Sequence, residues 1–317
     1  MTFSNSEISV LIIGYKRVEN ILKIIEACVL GGARNFYVSL DGFPEKEDLI
    51  DSRKDLITEF ANRFKVIQKF RVNVRDKNLG CAIQVLTSCD WFFKIEEFGI
   101  ILEDDCIPDP TFIKYAIDCK HILLNNANIL LFGGSQFDQN LVKAKCIFKS
   151  KYALTWGWGT SRSNWRILSD YIKEGIDEFK LIDQFRIENK FWRSGARRAY
   201  QGYTDVWDTI LQYQLIRKNK YCLLPEMPLV MNIGFDTVAT HTKSKPFWIN
   251  KNVEKYLGYL TINESKKVSV FFLKKYVFNI SFKNFFTTNF RWFFDKLSEK
   301  KFNQPLLNRW KNNPIVD

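Results

Sequence analysis

The hydrophobic pattern of the first 135 residues alternates between short apolar runs and longer amphipathic segments. Four runs are rich in β-branched residues and almost continuously apolar, as in strands buried on both faces of a parallel sheet: 8–15, 35–42, 98–105 and 128–134. Three segments between them place apolar side chains at helical spacing: 18–30, 47–64 and 79–93. Strands that alternate with helices of this length predict βαβ units and a twisted, mostly parallel sheet.

Polar residues and glycine stand at the ends of the first three runs or just after them, at the positions where a parallel sheet binds ligands. In open α/β sheets the ligand lies outside the carboxyl ends of the strands. We therefore expect these polar groups to converge on one rim of the sheet. They are Gly14, Tyr15, Arg17, Asp41, Glu103, Asp104 and Asp105.

Three adjacent acids end the third run, and they repel one another unless a cation lies beside them. Mg²⁺ and Mn²⁺ prefer carboxylate oxygens together with ligand phosphates and need few protein ligands. Glu103, Asp104 and Asp105 therefore predict a metal site that neutralises a diphosphate leaving group. The alternative is an exposed acidic turn before a helix, where negative charge is favourable in any case.

The other two strand ends each allow two interpretations. Arg17 begins the helix after the first run, where it can reach a phosphate or an acid at the neighbouring strand end. It can equally be a solvated surface side chain. Asp41 precedes Gly42, a pair that is common in turns, yet an aspartate at a strand end also accepts hydrogen bonds from a base or a ribose.

Two tryptophan-containing segments of the second half carry further candidates. Trp207 and Asp208 begin a helical run, where an aspartate beside an indole can act as a general base while the ring excludes water. A surface aspartate on an amphipathic helix fits the same pattern. Residues 156–159, Trp-Gly-Trp-Gly, predict a loop whose glycines admit a ligand and whose indoles, such as Trp158, stack on it. A buried tryptophan corner is the alternative there.

Motifs and composition argue against several classes of protein. No G-x-G-x-x-G or G-x-x-x-x-G-K-[ST] motif follows a predicted strand, which argues against a dinucleotide-dependent enzyme and a P-loop NTPase. The seven cysteines form no C-x-x-C pair and there are two histidines, so a zinc site is disfavoured. The N-terminus does not have the pattern of a signal peptide, and no apolar run reaches the ~18 residues of a membrane span. These features predict residence on the cytoplasmic side.

Positive charge is concentrated in the last quarter of the chain. Residues 243–317 contain 15 Lys/Arg and 5 Asp/Glu, so they carry +10 of the net charge of +12. We therefore divide the chain into a main domain, 1–245, and a basic, aromatic-rich region, 246–317. Lysine pairs among aromatic residues over 266–302 predict attachment to an anionic membrane surface, with a subdomain packed on the main domain as the alternative. Nucleic-acid binding is not indicated, because nothing else in the chain resembles an RNA or DNA module.

Seven motifs occur in the order found in one family. They are IIGYKR, VSLDG, NLGCAIQ, IILEDDCIPDPTFIKY, TWGWGTSRSNW, DVWDTILQ and LLPEMPLVMNIGFDTVATH. Over residues 9–243 the chain resembles the nucleotide-diphospho-sugar transferases of GT-A architecture, in particular the N-acetylglucosaminyltransferase I type and its bacterial, hemolytic-protein-like relatives. The resemblance implies a Rossmann-like α/β catalytic domain for residues 1–245, with a mostly parallel twisted sheet flanked by helices.

The resemblance also implies a role for each candidate residue. Gly14, Tyr15, Arg17, Asp41 and Asp104 would bind the nucleotide, with Asp41 near a uracil and Asp104 facing the ribose and Arg17. Asp105 would bind Mn²⁺ or Mg²⁺ directly. The side chains that would contact the donor sugar, or in the last two cases its phosphates, are Glu103, Trp158, Trp207, Thr240 and His241.

The activity implied is transfer of a sugar, of the N-acetylglucosamine type, from a UDP-linked donor to a glycan or lipid-linked acceptor in bacterial surface polysaccharide or glycolipid assembly. Asp208 would take the acceptor proton in a single displacement with inversion; a retaining outcome stays open. The eukaryotic relatives follow Trp-Asp with a second aspartate and a tryptophan, whereas Thr209 and Ile210 stand here. Asp205 is therefore an alternative base, and a non-catalytic carbohydrate-binding or scaffold protein is the alternative function.

Overall fold

A computed structural model describes residues 8–42, 48–136, 146–176, 187–234, 255–258, 262–263 and 302–315. Two of the predicted ligand contacts, Thr240 and His241, lie outside the described residues. Most of the basic, aromatic-rich segment at 266–302 lies outside them as well. The roles assigned to these parts of the chain stay predictions.

The described residues form a nine-stranded sheet with helices on both faces and a small two-stranded sheet beside it. The strands are β1 Ser9–Gly14, β2 Asn35–Leu40, β3 Lys69–Val74, β4 Phe98–Glu103, β5 Cys106–Pro108, β6 Ile129–Gly133, β7 Ile147–Ser150, β8 Trp158–Ser161, β9 Tyr221–Leu224, β10 Val230–Asn232 and β11 Ile262–Asn263. The helices are α1 Val18–Leu30, α2 Asp48–Asn62, α3 Cys81–Ile95, α4 Phe112–Leu124, α5 Arg162–Lys173, α6 Ile187–Tyr200, α7 Asp208–Arg217 and α8 Leu306–Lys311. The large sheet has the order β11-β7-β9-β6-β8-β4-β1-β2-β3, and β5 pairs with β10 in the small one.

Strands β4, β1, β2 and β3 lie side by side and are all parallel. Side chains of β1 alternate between two cores: Leu11 packs on the face that α3 covers, and Val10 and Ile12 pack on the face of α1 and α4. Burial on both faces explains why the run is continuously apolar rather than alternating. The α/β class predicted from the sequence, a mostly parallel sheet flanked by helices, is confirmed.

Strand β8 crosses the middle of the sheet between β4 and β6 and runs antiparallel to both. The sequence predicts a ligand-binding loop at residues 156–159. In the structure Trp158 and Gly159 instead belong to strand β8. Gly159 lies opposite Ile100, and a side chain at position 159 would collide with the Phe132 ring. The glycine at this position therefore permits close packing of strands.

Residues 302–315 return to the α/β core from the end of the chain. Leu306, Trp310 and Ile315 are buried in the same core as α3, and Trp310 Nε1 donates a hydrogen bond to Asp90 Oδ2 on α3 at 2.8 Å. This part of the basic region therefore packs on the main domain. Within the ranges that the structure describes, no helix has both the length and the apolar character needed to cross a bilayer.

Candidate active site

A cavity of about 590 Å³ opens at the carboxyl ends of β1, β2 and β4. This is where ligands bind in open α/β sheets, and most of the predicted residues meet there. Of the candidates that the structure describes, Trp158 alone does not line the cavity. Those that do are Gly14, Tyr15, Arg17, Asp41, Glu103, Asp104, Asp105, Asp205, Trp207 and Asp208.

Asp104 joins the ends of β1 and β4. Its Oδ2 accepts a hydrogen bond from the Tyr15 amide at 2.9 Å, and its Oδ1 pairs with Arg17 Nη1 at 3.2 Å. Burial raises the pKa of Asp104, whereas the Tyr15 amide and the Arg17 guanidinium lower it. The Arg17 side chain is 20% exposed and lines the cavity, so its guanidinium is held by Asp104 at a position where it can also meet a phosphate.

Negative charge accumulates at the β4 end of the cavity. Burial is the largest cause that raises the pKa of Glu103 to about 8. The neighbouring carboxylates add to the rise, in the order Asp105, Asp208 and Asp104. A hydrogen bond from Trp207 opposes it. Because three neighbouring carboxylates add to the effect of burial, a cation at this end of the cavity would be stabilised.

Asp105 lies partly exposed at the edge of this acidic group, and the small sheet fixes its position. Its carbonyl oxygen accepts a hydrogen bond from the Ile233 amide at 2.8 Å, directly after β10. Gly234 lies so close that a β-carbon there would overlap the Asp105 carboxylate. The absence of a side chain at position 234 therefore gives the carboxylate its place in the cavity wall.

The donor atoms at this end of the cavity are carboxylate oxygens, which Mg²⁺ and Mn²⁺ prefer. Among the described residues, no group of three or more His, Cys, Asp or Glu side chains could hold an ion by itself. Mg²⁺ and Mn²⁺ are also held by one or two carboxylates together with the phosphates of a ligand. The excess negative charge around a partly exposed Asp105, with Arg17 nearby in the same cavity, fits that second mode.

Asp41 holds the turn that leads into α3. Its Oδ1 accepts hydrogen bonds from the Gly42 and Leu79 amides at 2.9 and 2.8 Å. Its Oδ2 accepts one from the Gly80 amide at 3.0 Å. Burial raises the pKa of Asp41 to about 6, although these three amides and the charge of Arg75 lower it. The contact with a nucleobase stays a prediction, and the observed contacts give Asp41 a structural role.

Arg53, on α2, ties two strand ends together. Its Nη1 donates to the Tyr15 carbonyl and its Nη2 donates to the Asp41 carbonyl at 3.3 Å. It therefore fixes the spacing between the ends of β1 and β2, where the nucleotide is expected. No sequence signal distinguishes Arg53 from the other charged residues of α2, so only the fold could reveal it.

Asp205 caps α3 from a distant part of the chain. It is 4% exposed and accepts hydrogen bonds from the Cys81 amide at 2.9 Å and the Ala82 amide at 3.2 Å. Gly80 precedes the helix with φ of +81° and brings no side chain of its own. A β-carbon at Gly80 would overlap the Asp205 carboxylate, so glycine at this position makes the cap possible.

Asp208, three residues later, has a different environment. It is the first residue of α7, it is exposed, and it lines the cavity. Its Oδ1 accepts a hydrogen bond from the Thr209 amide at 2.7 Å. Both candidate bases line the cavity, but Asp208 is exposed there, whereas Asp205 is buried and accepts hydrogen bonds from two α3 amides.

Among the tryptophans of the second half, Trp158 lies in the core, Trp156 lines the cavity, and Trp207, which is 3% exposed, does both. Trp158 is 1% exposed, with its ring 5.2 Å from that of Trp207 and 6.2 Å from that of Trp165. Trp156, just before β8, lines the cavity instead. Strand β8 thus directs Trp158 into the core and away from the cavity, whereas Trp156 and Trp207 both line the cavity.

Fold and site together define an α/β protein with an acidic cavity at the carboxyl ends of a mostly parallel sheet. Neither a family model nor a curated protein matches the chain. Among solved structures it is similar to a UDP-glucose pyrophosphorylase complexed with UDP-glucose, with 9% identity and a TM-score of 0.39. The match covers 68% of this chain and 89% of that chain. This likeness concerns the fold, so function has to be argued from the cavity.

Proposed function

We propose that this chain is a divalent-metal-dependent glycosyltransferase. It moves a sugar from a nucleoside-diphosphate donor, UDP-linked, to a hydroxyl group of a glycan or lipid-linked acceptor. The observation that carries the proposal is that one cavity brings together Arg17, Asp105 and Asp208. The reaction needs a cation on the leaving diphosphate and a base on the acceptor, and these three side chains can meet both needs.

Asp208 is the base in this proposal. It would accept the proton of the acceptor hydroxyl as that oxygen attacks the anomeric carbon, and the bond to the diphosphate would break on the opposite face, with inversion. Asp208 is favoured over Asp205 because it is exposed to the cavity, whereas Asp205 is buried under the α3 amides. Trp207 and Trp156 would support the sugar and exclude water.

The donor's diphosphate would lie between the ends of β1 and β4. A metal ion at Asp105 would supply the charge that stabilises the departing diphosphate. Arg17 would bind the same phosphates from the β1 side, with its direction set by Asp104 at 3.2 Å. Arg53 would keep the backbone of Tyr15 in place beneath them.

The first test is the thermal stability of the full chain against a panel of nucleotide sugars, with and without Mn²⁺. We expect one uridine sugar to raise the unfolding midpoint only when the metal is present, since a ligand that binds the folded state stabilises it. A ligand at 100 times its Kd adds about 2.7 kcal/mol. Equal midpoints with every donor at saturating concentration would count against the proposal.

A substitution separates an enzyme from a carbohydrate-binding protein on the same fold. Asp105→Ala should abolish metal-dependent donor binding and turnover while the chain stays folded. Asp55→Ala, which removes an exposed acid of α2 that does not line the cavity, is the matched control and should change neither. If Asp105→Ala kept its full affinity for a glycan and no donor turnover were found in the unsubstituted chain, the binding-protein interpretation would replace this one.

Attachment to a membrane surface is a separate part of the proposal, and it concerns residues outside the described ranges. Because residues 302–315 belong to the core, the test uses the full chain and not a truncated one. Lys274→Glu combined with Lys275→Glu should reduce co-sedimentation with anionic liposomes while donor binding is unchanged. Equal sedimentation of this variant and the unsubstituted chain would remove the membrane proposal.

A further inference from the structure

The C-terminal segment 302–315 reaches the cavity although it lies far outside residues 1–245. Phe302 lines the cavity, and its amide donates a hydrogen bond to the Gly202 carbonyl at 3.0 Å. Helix α8 anchors the segment through the buried Leu306 and Trp310. The site is therefore completed by a part of the chain that none of the sequence motifs includes.

Arg309 connects this segment to the cavity wall. Its guanidinium carbon lies over the Phe302 ring, 3.3 Å from the ring centroid, in a cation–π contact. Its Nη2 donates to the Leu79 carbonyl at 2.5 Å and lies 4.0 Å from Asp205 Oδ1. One side chain thus touches the ring, the turn before α3 and the carboxylate that caps α3.

The strand order indicates which part of a donor would lie near Phe302. The acids end β4, Arg17 follows β1, and Asp41 ends β2, and these three strands are neighbours in that order. The turn at 79–80, which Arg309 contacts, is hydrogen-bonded to Asp41. With the sugar end of the donor at Trp156, which precedes β8 on the other side of β4, a donor whose diphosphate lies between Asp105 and Arg17 would extend its nucleoside toward the turn and Phe302.

We propose that Phe302 binds the donor by stacking on its nucleobase, and that Arg309 is a positioning residue that holds both the Phe302 ring and the turn at residues 78–81. This inference rests on the proposed function, because it takes the diphosphate end of the cavity from it. Stacking on an aromatic ring is available to every base. Phe302 therefore contributes affinity and leaves the choice of base to other contacts.

The ligand test compares a nucleotide with the same anion without its base. Binding of UDP and of pyrophosphate, both with Mn²⁺, is measured by calorimetry for the full chain and for Phe302→Ala and Phe302→Tyr. We expect Phe302→Ala to weaken UDP binding roughly tenfold, the lower part of the range for loss of one base–aromatic stack. The affinity of Phe302→Ala for pyrophosphate should equal that of the unsubstituted chain. Phe302→Tyr, which keeps an aromatic ring, should bind UDP as the unsubstituted chain does. Unchanged UDP affinity, or an equal loss for pyrophosphate, would overturn the role of Phe302.

Arg309 is tested by a readout that needs no ligand. Hydrogen exchange of the amides of residues 79–82 should be faster in Arg309→Met than in the unsubstituted chain, and UDP affinity should fall with it. Lys311→Ala removes an exposed positive charge of the same helix and should leave both unchanged. If Arg309→Met does not fold, Arg309→Lys replaces it, because lysine keeps the charge and loses the planar stack. Unchanged exchange in a folded variant would overturn the positioning role.

The two measurements also separate this inference from the proposed function. If the unsubstituted chain binds neither UDP nor pyrophosphate, the proposed function fails and the contact of Phe302 with a base fails with it. The exchange measurement still decides whether Arg309 holds the turn. If UDP and pyrophosphate bind but Phe302→Ala has no effect, the proposed function survives and the role of Phe302 does not.

Discussion

Five aspartates line one cavity, and four of them show that its two sides use carboxylates differently. On the side of α3, Asp41 and Asp205 are each 4% exposed, and together they accept hydrogen bonds from five backbone amides at 2.8–3.2 Å. On the side of β4, Asp105 is partly exposed and Asp208 is exposed. Residue type and proximity to a cavity therefore do not define a role. The burial and the partners of each carboxylate do, since buried, amide-bound carboxylates hold the wall in place and accessible ones can meet a ligand.

Among the substitutions that test this comparison, Asp208→Asn should have the largest effect, and that effect should be on turnover. If Asp208 is the base, turnover should fall by about 10²–10⁴-fold, the usual contribution of general base catalysis, while the unfolding midpoint stays the same. Steady-state turnover and thermal unfolding of the same preparation measure the two quantities. Asp55→Asn is the control, because it changes an exposed acid on α2. Full activity in Asp208→Asn would show that Asp208 is not the base, and Asp205 would then be the candidate to test.

On the side of α3, Asp41→Ala should mainly affect stability. It leaves three amides without their acceptor in a buried turn, at about 1–3 kcal/mol for each that stays unpaired. We expect the free energy of unfolding to fall by about 3 kcal/mol in total, with water relieving part of the cost. Urea denaturation would measure this change in the free energy of unfolding, and we expect the m-value to stay the same. A loss of donor affinity at full stability would instead favour direct contact between Asp41 and the ligand.

The pH dependence of stability gives a second test of Asp41. Its pKa is raised from 3.8 to about 6, so the stability that it contributes is fully present below pH 3.8 and is lost as the pH rises through 6. The stability of the unsubstituted chain minus that of Asp41→Asn should therefore decrease between pH 4 and 7, by up to about 3 kcal/mol for a shift of about two units. Arg53, Arg75 and Arg309 are the charges that face Asp41, and they are present in both chains. An increasing difference over this range would contradict the buried state of Asp41.

The smallest of these effects should belong to Asp205→Ala. Loss of the carboxylate that caps α3 should cost about 1–2 kcal/mol, as for other helix N-caps. Asp205→Asn keeps one acceptor oxygen and should recover part of that loss. Turnover per folded molecule should stay within a few-fold of the unsubstituted chain. A loss of turnover as large as that of Asp208→Asn would make Asp205 the better candidate for the base.

Prediction from sequence worked where a strand is buried on both faces. The runs that became β1, β2, β4 and β6 and the segments that became α1, α2 and α3 were found within a few residues, because their periodicity depends on local burial. Edge strand β3, with the mixed sequence Lys-Phe-Arg-Val-Asn-Val, has a partly exposed pattern and no such signal. Strand β8 was missed because its glycines suggest a loop, and only its neighbours β4 and β6 make it a strand.

The candidate site also combines features that the sequence predicted with features that only the structure revealed. The sequence alone determined that polar groups at three parallel strand ends, from Gly14 to Asp105, would meet at one rim, since strand direction places carboxyl ends together. Only the tertiary structure decided that Asp41 and Asp205 hold the cavity wall and that Trp156 and Phe302, not Trp158, line the cavity. It also decided that Arg53 and Arg309 contact residues of that wall. Those roles depend on contacts between residues up to 230 positions apart, such as Arg309 with Leu79, and no local pattern encodes such contacts.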